Sequence, residues 1–146
     1  QTFEHITKTL SDDVTKSKIF FSVATLEYLQ KGGRIGLVSS ILGNALKLNP
    51  IISCNEDGIY HTVAKSRGRK KSLEKTVSLV KAYVGDHKKV RLVVAHGNAE
   101  KEALILIEVL KAAIPQASEV LFGQISPALV VHTGPGLIGL GAQLLD

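Results

Sequence analysis

Methionine and tryptophan are absent from these 146 residues, aromatics make up only 5%, and there is one cysteine. A lone Cys54 excludes an intrachain disulfide, which suits a reducing compartment. It lies in the apolar run from Pro50 to Cys54, where no neighbour lowers its pKa. It reads as a small buried hydrophobe, not as a nucleophile. With aromatics so few, the core falls to Leu, Ile, Val and Ala. No apolar run approaches the roughly 20 residues that a membrane span needs. The longest, near Leu137 to Leu145, is broken by Gly139 and Gly141. No secretory signal opens the chain, whose first residues, QTFEHITKTLSDD, are polar in character. A chain that starts with Gln1 and lacks methionine reads as part of a longer product. The remainder is then expected to hold part of any site.

Chemical motifs are equally sparse. No grouping of Cys, His, Asp and Glu has metal-ligand spacing. No G-x-S-x-G elbow occurs, and no Walker lysine follows the glycines between Gly134 and Gly141. These absences argue against a metalloenzyme, a serine hydrolase and an independent phosphotransferase. What is present is positive charge, a net +5 from 18 Lys and Arg against 13 Asp and Glu. Lys65, Arg67, Arg69, Lys70 and Lys71 crowd one short stretch. Such a cluster asks for an anionic partner.

Hydrophobic spacing predicts alternating strands and helices. Residues 1–17 read as a frayed lead-in and 18–146 as one domain. A strand is expected from Lys18 to Ala24, then a short helix from Thr25 to Lys31, capped by Thr25 and ended by Gly32-Gly33. A second helix is expected from Ile35 to Leu48, stopped by Asn49-Pro50. Two strands around Asn55 to Gly58 read as a hairpin. Leu73, Val77, Val80 and Val84 form one helical stripe. Val90 to Ala95 reads as a strand buried on both faces. Asn98 is the expected cap of a helix that runs to Ile114 and is largely covered. Val120 to Gln124 and Ala128 to Val131 read as strands, and Pro135 to Leu145 as a final helix. The sum is an α/β domain, a mixed sheet covered by helices in two layers.

Three segments are unusual for packing alone. In the first, Gly32-Gly33 turns the chain and hands Arg34 to the start of the next helix. A guanidinium and free backbone N–H groups there suit an anion; the plain alternative is a helical corner with a solvated arginine. In the second, His132-Thr133-Gly134-Pro135-Gly136 stands between an expected strand and an expected helix. His132 could donate to a carboxylate or phosphate, or simply satisfy a nearby carbonyl. The third is the basic run, which places cations at a helix start against the macrodipole. It lacks the interleaved aromatics of a stacking platform, which argues against nucleic acid. A nucleic-acid-binding regulator acting through residues 65–71 stays open as the alternative function.

The chain resembles the DegV family. The resemblance rests on TLEYLQKGGRIG from Thr25 to Gly36, LNPII from Leu48 to Ile52 with Asp57-Gly58, KSRGRK from Lys65 to Lys70, and HTGPG from His132 to Gly136. It implies the carboxy-terminal α/β domain of a bacterial cytoplasmic protein that binds one long-chain fatty acid. It further implies a non-catalytic role. On this resemblance the protein would present the fatty acid's carboxyl group to a separate fatty acid kinase subunit, and would need no cofactor beyond that ligand. Arg34, His132 and Thr133 would lie near the headgroup, while Arg67 and Arg69 would dock the kinase subunit. The amino-terminal domain, which contributes Ser and Thr to the headgroup, would be a further partner. A carboxylate in an apolar channel needs such pairing. The tail contributes about 0.8 kcal/mol per buried CH₂.

Overall fold

The computed structural model describes residues 2–41 and 48–146. Its elements are α1 (Phe3–Thr15), β1 (Ser17–Ser22), α2 (Glu27–Lys31), a 3-10 helix (Gly36–Ile41), β2 (Leu48–Cys54) and β3 (Tyr60–Arg67). They continue with α3 (Arg69–Val84), β4 (Val90–Gly97), α4 (Glu100–Ala113), β5 (Ala117–Gln124), α5 (Pro127–Thr133) and β6 (Leu137–Leu144). One six-stranded mixed sheet runs in the order β3-β2-β1-β6-β4-β5. Only β4 and β5 pair in parallel among the described strands, joined through α4. The α/β fold class expected from the sequence is the one observed.

Strand alternation divides the core in two. On the first face Phe20, Ile51, Leu92, Val94, Ile138 and Leu140 meet the stripe of α3 and Ala103, Leu106 and Leu110 of α4. On the second face Phe21, Val23, Ile52 and Leu137 gather with Leu29 of α2 and Val38 of the 3-10 helix. The α3 stripe of Leu73, Val77, Val80 and Val84 is buried as its spacing predicts. Leu110 is wholly buried between α4 and the sheet. Leu110→Ala is expected to cost about 2–5 kcal/mol, read as an earlier midpoint in chemical denaturation.

Several sequence expectations fail, each for a physical reason. Residues 3–15 are helical, with Thr2 accepting from the His5 amide as cap. Ala128 to Val131 lies in α5, a helix begun by Ser126 and by Pro127 in the first turn, where a missing N–H costs nothing. Pro135 to Leu145 is no helix; Leu137–Leu144 is β6, paired between β1 and β4. Its period is two: Ile138, Leu140 and Ala142 face the helices, while Gly139 and Gly141 face the other way. Asn98 does not cap α4 but takes a positive φ of 53°, and the helix starts at Glu100. From Val90 to Ala95 of β4 only alternate residues are buried, because the second face is thinly covered there. The outer flank of α4 is open, with Leu104 49% and Ile105 66% exposed, so the helix is less covered than its composition implied. Of the expected helix from Ile35 to Leu48, the first turns are the 3-10 segment and Leu48 already belongs to β2. Residues 42–47 lie outside the described residues.

At the far end of the sheet, Asp146 accepts from the Lys88 amide at 2.9 Å and contacts His87 Nδ1 at 2.8 Å. The Lys88 hydrogen bond, then His87, hold its carboxyl below the ordinary value of 3.8. A depressed folded pKa stabilises above the unfolded value and is lost as pH falls through it. Asp146→Asn is therefore expected to lower thermal stability slightly at neutral pH and to flatten its further loss below about pH 4, so that variant and parent converge in acid.

Candidate functional site

Two glycine turns bring the two sequence-marked side chains to one place. Leu29 O accepts from the Arg34 amide at 2.8 Å and Gln30 O from the Gly33 amide at 3.1 Å, closing α2. The left-handed residue is Gly33, at φ 68°, rather than Gly32. Arg34 is exposed, and its guanidinium Nη1 donates to Gly32 O at 2.6 Å. From the other side His132 packs on the same residue. A Cβ on Gly32 would sit 2.6 Å from His132 Nδ1. Arg34 and His132 thus flank Gly32, one through its carbonyl and one through its α-carbon.

His132 stands in the last turn of α5, not at a helix start. The helix-terminus field expected there for an anion is absent; a helix end favours cations instead. Its Nδ1 is buried without a hydrogen-bond partner. Thr133 is buried, its hydroxyl donating to Leu129 O at 3.1 Å. The following turn closes against α2: Gly134, at φ 78°, leaves no room for a Cβ because the Tyr28 ring fills that space. Across a shallow groove from Arg34 lies Tyr60. Burial pushes the Tyr60 hydroxyl pKa up, with the Cys54 charge adding and Arg34 opposing. Burial likewise raises the Cys54 thiol, which suits its reading as an unreactive side chain.

The basic run is split by Gly68, at φ 83°. Lys65 and Arg67 end β3 and are exposed, and Lys70 and Lys71 are exposed in the first turn of α3. Arg69 is turned inward. Its Nη2 lies 3.1 Å from Glu102 Oε2 and donates to Gly136 O at 2.6 Å, tying α3 to α4 and to the turn before β6. That tie answers the unfavourable macrodipole placement with a structural use. His96 does not join His132. It is buried on the first face, stacked on Phe122 with ring centroids 5.3 Å apart.

One feature of the site escaped sequence reasoning. On the second sheet face Phe21, Gly139, Ala95 and Gly123 stand side by side across four strands, above a row of Ile19, Gly141, Val93 and Leu121. The small residues leave a notch in the sheet surface, and a Cβ at Gly123 would meet nothing within 4 Å. The notch opens into an apolar groove of about 560 Å³, walled by Leu10 and Val14 of α1 with Ile19, Val93 and Leu121. Its size lies within the roughly 300–1,000 Å³ of ligand pockets. Phe3, Ile6, Leu10 and Val14 form a stripe along α1, each between 43% and 84% exposed. The signal in the sequence was the alternation of glycine with Ile and Leu in β6. Among the described residues no metal-binding group occurs, and no helix is long and apolar enough to cross a membrane.

A DegV domain-containing protein of Clostridium acetobutylicum is 39% identical over 141 residues, which cover 96% of this chain and 50% of the relative. A solved structure described as fatty acid binding of a DegV family protein from Thermus thermophilus superposes with a TM-score of 0.88. Its sequence identity is 32%, covering 99% of this chain and 51% of that one. A stearic-acid-binding protein from Eubacterium ventriosum superposes at 0.84 with 26% identity, over 98% of this chain and 50% of that one. The chain thus spans about half the length of the relatives it matches. A model of the family described as "Uncharacterised protein, DegV family" matches residues 1–144. On the match of sequence, fold and extent together, the chain belongs to the DegV family.

Proposed function

We propose that this chain is the carboxy-terminal part of a cytoplasmic, non-catalytic carrier of long-chain fatty acids. The observation that carries the proposal is the convergence of Arg34 and His132 on Gly32, at the end of the sheet toward which the apolar notch leads. Arg34 supplies a cation and His132 a hydrogen bond to the ligand's carboxylate, with Thr133 beside them. Such partners offset the cost of taking a carboxylate out of water. The acyl chain lies along the notch of Gly139, Ala95 and Gly123, where each buried CH₂ contributes about 0.8 kcal/mol.

Half of that channel is an open surface here, and the relatives are about twice as long. The amino-terminal domain closes the groove and covers the apolar stripe of α1, so residues 1–17 are a docking helix between two halves. The fatty acids bound by the Thermus thermophilus and Eubacterium ventriosum proteins support this ligand class. The carrier presents the carboxyl group to a fatty acid kinase subunit. Arg67, exposed at the end of β3, is the better docking residue; Arg69 supports it through its internal tie. Lipid extracted from the purified complete protein is expected to contain stoichiometric long-chain fatty acid by mass spectrometry. A lipid-free preparation that takes up no added palmitate contradicts the proposal. In a coupled assay, Arg67→Ala is expected to slow acyl phosphate formation while leaving palmitate affinity unchanged.

A further inference from the structure

The two edges of the sheet are treated differently. β3 carries Lys65 and Arg67, charges that discourage pairing with another chain. β5 has neither Lys nor Pro, and its single charge, Glu119, is engaged by Arg91 at 2.7 Å within the sheet. Leu121 is 44% and Phe122 40% exposed on it. No strand pairs with its outer edge among the described residues. An edge of this composition is open to strand addition.

We propose that β5 and α4 form a two-fold interface with a second copy of this chain, continuing the sheet across β5. The helix over that edge supplies the argument for the occupant. α4 lies above β4 and β5, and Glu102 turns one flank of it toward Arg69 at the start of α3. At 3.6 residues per turn, Glu100, Leu104, Ile107 and Lys111 fall within about 60° on the opposite flank, above the β5 edge. Leu104 is half exposed, and Lys111 pairs with Glu108 of its own helix.

This seam is complementary to itself. A two-fold axis that sets β5 antiparallel to its copy sets α4 antiparallel to its own copy. Leu104 then meets the copy's Ile107, and Glu100 at one end meets the copy's Lys111 at the other. α4 packs on β4 and β5, so the two helices stand on the same side of the continued sheet and face each other across the seam. The notch and the α1 stripe lie on the other face and stay free for the amino-terminal half.

Sedimentation velocity over a concentration series, on this chain and on the complete protein, tests the interface. Both are expected to pass from monomer to dimer. Glu100→Lys or Lys111→Glu alone is expected to raise the dissociation constant about tenfold. The two reversals in one chain restore it to within about threefold. Circular dichroism melts establish that each variant is folded. A monomer at every concentration overturns the proposal, as does a dimer indifferent to the single reversals or unrestored by the double one. A complete protein that stays monomeric while this chain dimerises also overturns it, since the seam then belongs to the other half.

Discussion

Replacing Arg34 with alanine in the complete protein is expected to weaken palmitate binding about 30-fold or more. His132→Ala is expected to have a smaller effect of the same sign. The asymmetry follows from charge. Losing Arg34 leaves a carboxylate beside an apolar groove with no formal countercharge, whereas losing His132 removes one hydrogen bond. Isothermal titration of delipidated protein reads both. Thermal melts of the unliganded variants should match the parent, because Arg34 is exposed and its guanidinium bonds, among the described residues, to Gly32 O two residues away. Equal binding by the parent and both variants rejects the headgroup assignment.

Gly134→Ala is expected to be the most damaging small substitution at the site. At φ 78° an L-residue is strained by about 1–3 kcal/mol before any contact is considered. The added Cβ would also meet the Tyr28 ring, at 2.8 Å from Cε2 and 2.9 Å from Cγ. We expect the melting temperature to fall by at least about 5 °C. Ligand binding should fall as well, since His132 stands two residues away in the last turn of α5. The clash and the strain are separable. Tyr28→Ala in the Gly134→Ala background relieves the clash and leaves the φ strain. The double variant should then be more stable than the two single effects summed, by about 1 kcal/mol or more. Strict additivity removes the clash from the account.

The sequence made the regular parts of the fold legible where one periodicity ran long enough. The stripe of Leu73, Val77, Val80 and Val84 could only be a helix, and the turn at Asn55 to Gly58 between two apolar runs could only be a hairpin. It misled where runs were short. The four residues from Ala128 to Val131 suit a strand or a buried helical turn equally, and Pro127 decided for the helix. β6 misled because glycine usually marks a break. Here Gly139 and Gly141 instead strip one face of a central strand, leaving Ile138 and Leu140 to anchor the other.

The candidate site was legible in its residues and not in its geometry. TLEYLQKGGRIG and HTGPG marked Arg34 and His132, yet both were placed at helix starts. The structure puts His132 at a helix end and brings the pair together through Gly32, a tertiary contact that no local pattern encodes. The role of Arg69 was hidden for the same reason. Its partners, Glu102 and Gly136, are distant in the chain, so a residue tying three elements together looked like one more surface cation. The floor of Gly139, Ala95 and Gly123 exists only once β6, β4 and β5 lie in register.

The most direct measurement of the central claim is the ¹³C NMR signal of carboxyl-labelled palmitate bound to the complete protein. The carboxyl resonance is expected to move in Arg34→Lys and in His132→Gln, while Arg67→Ala leaves it in place. A resonance untouched by changes at Arg34 and His132, from palmitate that remains bound, would put the headgroup elsewhere and contradict the account.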